Sequence, residues 1–154
     1  MPRAAIELAH LCDLTVELAA PMELGSGPRG RRRIIPIVGG TVTGERLRGR
    51  ILNLGADWQT VFADGSAELD TRYSMQTHDG ATIDIRNFGF RHGPPDVIAA
   101  LARGENVDGS RYYMRTQPRF ETGDERYAWL NRTVFVGTGE RLASSVLITV
   151  YEVT

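Results

Sequence analysis

The chain has 154 residues, of which 42% are hydrophobic and 24% charged, and 18 basic side chains against 19 acidic ones give a net charge of −1. This length predicts one domain, residues 1–154, with a core that needs no disulfide, and the near-neutral charge argues against nucleic-acid binding. All 18 basic residues are arginine, so Schiff-base chemistry through a lysine is excluded. No apolar run is long enough for a membrane span or a signal peptide, and the single Cys12 fits a reducing compartment. We therefore expect a cytoplasmic protein with no membrane or nucleic-acid partner.

Short alternating segments separated by 17 glycines predict a meandering, all-β antiparallel structure. Pro94–Arg103 starts with prolines and ends before Gly104, which predicts a short helix. Residues 124–131 predict a single helical turn or a compact loop. Nine or ten strands that close into an up-and-down barrel would leave no exposed edge. The predicted strands are 11–18, 34–42, 47–54, 58–62, 67–77, 81–88, 112–120, 133–137 and 146–153.

A glycine-rich, basic stretch precedes the second predicted strand. Gly25–Gly30 matches G-x-G-x-x-G, but Pro28 lies inside it and a strand follows, so no dinucleotide site is predicted. Arg29 and the run Arg31–Arg33 then form a basic loop. Most such runs are solvated, and an anion-binding rim or a subunit contact is the alternative.

The central block consists of three predicted strands joined at two Asp-Gly turns, Asp64-Gly65 and Asp79-Gly80. If each turn has three residues and ends in a left-handed glycine, Arg72 faces Arg86 across the hairpin and apolar residues segregate to the other face. One face then carries charges beside an aromatic residue: Trp58, Asp70, Arg72, Asp84 and Arg86.

Two interpretations of this charged face remain open. It is either a solvated outer wall, which the usual exposure of charged residues favours, or the lining of a polar pocket. In a pocket, Asp70 would act as general acid or base, Arg72 and Arg86 would stabilise an oxyanion, and Trp58 would stack on a planar ligand.

Further candidates lie outside that face. Asp57 shares the opposite face with Tyr73 and would be an alternative proton-transfer residue, although a turn that enters the strand is the favoured interpretation. Tyr73, Arg115 and Trp129 are the remaining ligand-binding candidates, with ordinary packing as the alternative for Trp129. The three histidines lack metal-ligand spacing, so no metal and no cofactor are predicted.

Taken together, a series of short strings resembles the DUF3237 family, also called UPF0311. The resemblance implies a calycin- or lipocalin-like antiparallel barrel that self-associates, which we expect to be a homodimer, and it implies no particular reaction. The strings that carry it run through the whole chain: Gly30-Arg31-Arg32, Ile35-Pro36-Ile37-Val38-Gly39-Gly40-Thr41, Leu47-Arg48-Gly49, Gly55-Ala56-Asp57-Trp58-Gln59, Ala63-Asp64-Gly65, Ala67-Glu68-Leu69-Asp70-Thr71-Arg72-Tyr73, Asp79-Gly80, Arg86-Asn87, Arg91-His92-Gly93-Pro94, Tyr113-Met114-Arg115, Phe120-Glu121-Thr122-Gly123 and Tyr127-Ala128-Trp129-Leu130-Asn131.

Three functions fit these residues. The first is a cofactor-independent isomerase, lyase, hydratase or cyclase that acts on a largely apolar carbonyl or aromatic compound, with Asp70 or Asp57 moving the proton and Arg72 and Arg86 stabilising the oxyanion. The second is a non-catalytic carrier or sensor of a hydrophobic ligand. The third is an interaction module that uses the charged strand face.

Overall fold

Ten β-strands form one closed antiparallel sheet in the computed structural model, which describes all residues from Met1 to Thr154. One α-helix, α1 (Pro95–Ala102), and two 3-10 helices, Gly109–Arg111 and Glu125–Arg132, interrupt the strands. The strands are β1 (Leu8–Leu18), β2 (Met22–Gly27), β3 (Gly30–Thr43), β4 (Gly49–Ile51), β5 (Gly55–Val61), β6 (Ala67–Thr77), β7 (Thr82–His92), β8 (Tyr113–Glu121), β9 (Phe135–Arg141) and β10 (Ser145–Val153).

The barrel closes because β3 pairs with β1 as well as with its hairpin neighbours. The strand order runs β1, β10, β9, β8, β7, β6, and both β4 and β5 lie between β6 and β3. In the same way, β1 and β2 pair with different parts of β3 and together occupy one position in the barrel wall. The ten strand segments therefore occupy eight positions around the barrel. The predicted all-β antiparallel barrel is confirmed.

The stretch predicted as a basic loop is instead a hairpin. Strand β2 pairs with the start of β3, and Gly30 at the turn has φ +133°, which favours glycine. The prediction missed β2 because all its residues are exposed and no apolar face marks it as a strand. As a result, Arg31, Arg32 and Arg33 alternate between the two faces of a strand.

The predicted register of the central block is confirmed. Thr77 pairs with Ala81 around a three-residue turn, and Gly80 has φ +93°. Across β6 and β7, Arg72 lies opposite Arg86 and Tyr73 lies opposite Ile85. The apolar face of these strands packs inside the barrel.

The barrel has one closed end and one polar end. At the closed end, the 3-10 helix Glu125–Arg132 buries Tyr127 and Leu130, and Asp79 accepts hydrogen bonds from the Tyr127 hydroxyl (2.7 Å) and from Thr77 Oγ1 (2.6 Å). Towards the opposite end, polar side chains replace aliphatic ones on the inner wall. None of the helices has the length and apolar composition that crossing a membrane requires.

Candidate functional site

The charged face of the central block forms part of the outer wall. Trp58, Asp70, Arg72 and Arg86 are all exposed, and Arg72 Nη2 contacts the Asp84 carboxylate at 3.3 Å across two strands. The structure thus brings the predicted patch together, on the outside, and none of its members lines the interior cavity. The pocket interpretation of this face is therefore corrected, because the apolar residues of the same strands fill the barrel.

The other candidates separate into exterior and interior residues. Arg115 is exposed on β8 with its guanidinium carbon 5.5 Å from the centre of the Tyr113 ring. Trp129 is half-buried at the closed end, where Arg46 lies 4.2 Å from its ring centre. Tyr73 and Asp57 are the two predicted site residues that line the cavity.

The cavity is a space of about 50 Å³ inside the polar end of the barrel. Nine of its 16 lining residues are hydrophobic, and the polar ones come from five neighbouring strands, β5 to β9. The aliphatic lining includes Val16, Ile35, Ile37, Leu69, Val146 and Ile148, and the polar lining includes Asp57, Gln59, Asn87, Arg91, Thr116 and Arg141.

Asp57 is the buried carboxylate of this cavity. It belongs to β5 and is 8% exposed, so the turn interpretation favoured from the sequence is wrong. Oδ1 accepts a 3.0 Å hydrogen bond from the backbone N–H of Asp70, and Oδ2 accepts a 3.1 Å hydrogen bond from Gln59 Nε2. Burial raises the pKa of Asp57 to about 6, against the opposing effect of these hydrogen bonds and of Arg91 and Arg33. Each oxygen keeps a free lone pair for a ligand.

Gln59 connects Asp57 to an arginine. Its Oε1 accepts a 2.6 Å hydrogen bond from Nε of Arg33, and its amide nitrogen donates to the carboxylate. Gln59 is 2% exposed, so this relay holds Asp57 in one orientation beneath the cavity. Neither Gln59 nor Arg33 was predicted as a site residue.

Two more arginines line the cavity itself. Arg91 of β7 is 7% exposed, and burial, followed by repulsion from Arg33 and Arg141, lowers its pKa to about 10. Arg141 of β9 is half-buried, and its Nη1 donates to the carbonyls of Leu142 (2.7 Å) and Ser145 (3.3 Å). Its pKa is also lowered, chiefly by burial. Both guanidiniums remain charged at neutral pH.

Three buried polar atoms of the lining have no hydrogen-bond partner: Nε of Arg91, Oδ1 of Asn87 and Oγ1 of Thr116. Buried polar atoms are rarely unpartnered in folded proteins. A molecule held in this cavity, water or ligand, can supply the hydrogen bonds that these three atoms lack within the protein.

The sequence contains a pattern that would have located these residues. On β7, Asn87 and Arg91 are in phase with Ile83 and Ile85, which the structure buries inside the barrel. On β3, Arg33 is in the same way in phase with Ile35. Extending the apolar face by two residues on β3, and by two and six residues on β7, leads to the polar end.

Other reactive groups lie away from the cavity chemistry. Cys12 is fully buried, and burial, followed by the charge of Asp13, raises the pKa of its thiol to about 12, so it stays protonated. No group of three His, Cys, Asp or Glu side chains is arranged to hold a metal ion. Asp57 with Arg91 and Arg141 combines a buried proton-transfer group with oxyanion donors in one enclosed cavity.

Comparison with known proteins gives a consistent match over the whole chain. A family model described as "Protein of unknown function (DUF3237)" matches residues 6–153. The chain is 40% identical over 148 residues to a UPF0311 protein of Rhodopseudomonas palustris, covering 96% of this chain and 97% of that protein. It is 39% identical to a UPF0311 protein of Clostridium acetobutylicum, covering 92% and 90% respectively.

Solved structures agree with the observed fold. A beta-barrel like protein from Acinetobacter baumannii superposes with a TM-score of 0.88 at 44% identity, covering 99% of both chains. A conserved protein of unknown function from Rhodopseudomonas palustris gives a TM-score of 0.93 at 38% identity, covering 99% of this chain and 100% of that one. A protein described as an enzyme from Penicillium herquei shares the fold, with a TM-score of 0.74 at 18% identity, covering 100% and 98%.

Proposed function

The chain belongs to the DUF3237 family, and we propose that its barrel is a small-molecule enzyme in which Asp57 transfers a proton next to a carbonyl group. The single observation that carries this proposal is a carboxylate, 8% exposed, that lines the same small cavity as two arginines. An acid with a pKa near 6 is ionised at neutral pH and more basic than an ordinary aspartate, which suits a general base.

The proposed step uses only groups that line the cavity. The Asp57 carboxylate removes a proton from the carbon next to a carbonyl, and the C–H electron pair forms the enolate, whose oxygen becomes the oxyanion. Arg91 or Arg141 donates hydrogen bonds to that oxygen. In a β,γ-unsaturated carbonyl compound, return of the proton from Asp57 to the γ-carbon gives isomerisation. Departure of a group from the β-carbon with its bonding electron pair gives elimination. Attack of the enolate carbon on a second carbonyl of the same molecule, whose oxygen takes up the proton held by Asp57, gives cyclisation.

The cavity limits the substrate to a small, mainly apolar compound. A volume of about 50 Å³ is well below the roughly 300–1,000 Å³ of drug-sized pockets. Met114 is part of the lining, and its unbranched side chain can change rotamer to widen the space. A substrate with a few non-hydrogen atoms therefore fits this end of the barrel best.

The test is hydrogen–deuterium exchange at carbon. Butanone and 2-oxobutyrate are incubated with the protein in deuterated buffer, and the loss of the proton signal next to the carbonyl is followed by NMR. The wild-type protein should accelerate exchange of at least one probe, and Asp57→Asn should slow it by about 100-fold or more. The isosteric change keeps the side-chain volume.

Asp70→Asn is the informative comparison, because Asp70 was the first proton-transfer candidate. Full exchange in Asp70→Asn with loss in Asp57→Asn supports the proposed site. The reverse result would overturn it. If the wild-type protein binds 2-oxobutyrate without exchanging its protons, the barrel is a carrier or sensor.

A specific observation favours an interaction surface as a second role, and we infer that the outer wall pairs with a second copy of the chain. Trp58, Phe88 and Phe90 are exposed there, and the rings of Phe88 and Phe90 lie 5.2 Å apart. Aromatic and arginine side chains are enriched at protein interfaces. Light scattering after gel filtration should show a dimer that Phe88→Ser dissociates and Leu54→Ser, an exposed control, does not. A monomeric wild-type protein would exclude this role.

A further inference from the structure

We propose that the ligand of this cavity is a small carboxylate, held by the guanidinium groups of Arg91 and Arg141. This inference rests on the proposed function, because it assigns the substrate class of the same cavity. It adds a permanent negative charge to the reacting carbonyl compound, so that the substrate is a short oxo acid rather than a neutral ketone.

The first argument is the balance of charge at the polar end. Asp57 is the one acidic residue of the lining, and its charge interacts with three arginines, Arg91, Arg33 and Arg141. One carboxylate cannot balance three guanidinium groups, so the polar end keeps an excess of positive charge. Two cations that share a largely apolar cavity repel each other and favour an anion between them. One developing oxyanion uses one guanidinium, and the other is free for a second negative group.

The second argument is the geometry of the donors. Nε of Arg91 is buried and has no partner. Arg141 is held in place by the carbonyls of Leu142 and Ser145, which bind its Nη1 and leave other N–H groups of the fork free. A guanidinium matches the two oxygens of a carboxylate with parallel hydrogen bonds, which selects planar anions.

The third argument is the surroundings of these donors. The same cavity is lined by aliphatic side chains, among them Leu69 and Ile148, so the rest of the ligand is apolar. Asp57 faces the same space, and its negative charge disfavours a dianion such as phosphate. The small cavity excludes a long tail. A monoanionic carboxylate with a short apolar chain satisfies all three conditions.

The experiment compares two probes of nearly the same shape, one an anion and the other neutral. Trifluoroacetate and 2,2,2-trifluoroacetamide have the same shape, neither has a proton that Asp57 can exchange at carbon, and both are observed by fluorine NMR. Titration of each into the wild-type protein should show at least about tenfold tighter binding of trifluoroacetate. Equal affinity for the two probes, or no binding of either, would overturn the carboxylate assignment.

Variants then locate the binding site. Arg141→Gln, at a half-buried position, and Arg91→Gln should each weaken trifluoroacetate by about tenfold or more. Arg91→Lys retains the charge but not the fork, and should give an intermediate loss. Arg119→Gln, on the exposed side of β8, is the matched control and should bind like wild type. Unchanged binding in Arg141→Gln would exclude this site even if Arg91→Gln fails to fold.

The two proposals fail separately. A preference for trifluoroacetate that depends on Arg91 and Arg141, without proton exchange on 2-oxobutyrate, would leave the carboxylate site standing and remove the catalytic role of Asp57. If butanone exchanges as fast as 2-oxobutyrate and the two fluorinated probes bind equally, the catalytic role of Asp57 is supported and the carboxylate assignment is excluded.

Discussion

Gln59 and Asp57 point to the same side of β5, and the amide nitrogen of Gln59 lies 3.1 Å from Oδ2 of Asp57. The amide oxygen of Gln59 lies 2.6 Å from Nε of Arg33. Only one orientation of the amide satisfies both contacts, because a guanidinium cannot accept a hydrogen bond and a carboxylate cannot donate one. Arg33 therefore fixes Gln59, and Gln59 fixes the carboxylate.

This relay predicts that Gln59→Met raises the pKa of Asp57 above its value of about 6. The change removes a hydrogen bond that favours the ionised form and leaves the burial of Asp57 nearly the same. The carboxyl ¹³C shift of Asp57, followed across the titration, measures the effect. Gln117→Met, on the exposed side of β8, is the control. A pKa that stays at about 6 in Gln59→Met would show that the hydrogen bond has no role in setting it.

Asp57 should also make the stability of the fold depend on pH. Its pKa in the folded protein is about 6, above the value of about 4 of an unfolded chain. Between these values the folded state binds the extra proton, so the free energy of unfolding falls as the pH rises from about 4 through 6. Asp57→Asn has no carboxyl group at this position, so its free energy of unfolding does not fall for this reason.

The difference in the free energy of unfolding between Asp57→Asn and the wild-type protein should therefore grow with pH. Asp57→Asn should gain on the order of 2–3 kcal/mol over wild type between about pH 4 and pH 8. Urea unfolding of both proteins at several pH values measures it, and other titrating groups cancel in the comparison. A difference that stays constant with pH would contradict the raised pKa.

Thr116 should show a conflict between stability and binding. Its hydroxyl is buried in the cavity without a partner. Thr116→Val keeps the shape and removes the unpartnered group, so it should raise the free energy of unfolding by about 1 kcal/mol. The same change should weaken trifluoroacetate binding if the hydroxyl contacts the ligand. Thr138→Val, at a half-buried position of β9 outside the cavity lining, is the control. If Thr116→Val instead lowers the free energy of unfolding, the Thr116 hydroxyl has a hydrogen-bond partner in solution.

Much of the fold could be predicted from the sequence because apolar and polar residues alternate along most strands. The register of β6 and β7 followed from alternation and from one left-handed glycine, Gly80. Strand β2 could not be predicted, because it has no buried residue. Its stability comes from pairing with β3, which propensity along a single segment does not reveal.

The site was harder to predict than the fold for two physical reasons. Alternation shows which residues share a face but not which face is inside, so the outer patch around Arg72 remained a candidate. In addition, the inner cluster takes polar residues from strands far apart in sequence, such as Asp57 of β5 and Arg141 of β9. Each one alone resembles a turn residue or an ordinary surface charge.

The carboxylate site should respond to the ionisation of Asp57. The groups that face Asp57 are Gln59 on its own strand, Arg33 from β3, Arg91 from β7 and Arg141 from β9, and the arginines stay charged throughout the range from about pH 5 to pH 8. Trifluoroacetate also stays ionised there. Asp57 is therefore the group near the ligand whose charge changes.

Trifluoroacetate should bind more tightly as the pH falls through about 6, because protonation of Asp57 removes a negative charge from the cavity. Loss of one like charge from the same partly shielded cavity is expected to lower the dissociation constant of trifluoroacetate by about tenfold. Fluorine NMR titrations at about pH 8, 7, 6 and 5 measure the change. In Asp57→Asn the affinity should be high and independent of pH, whereas a wild-type affinity that does not change with pH would place the anion away from Asp57.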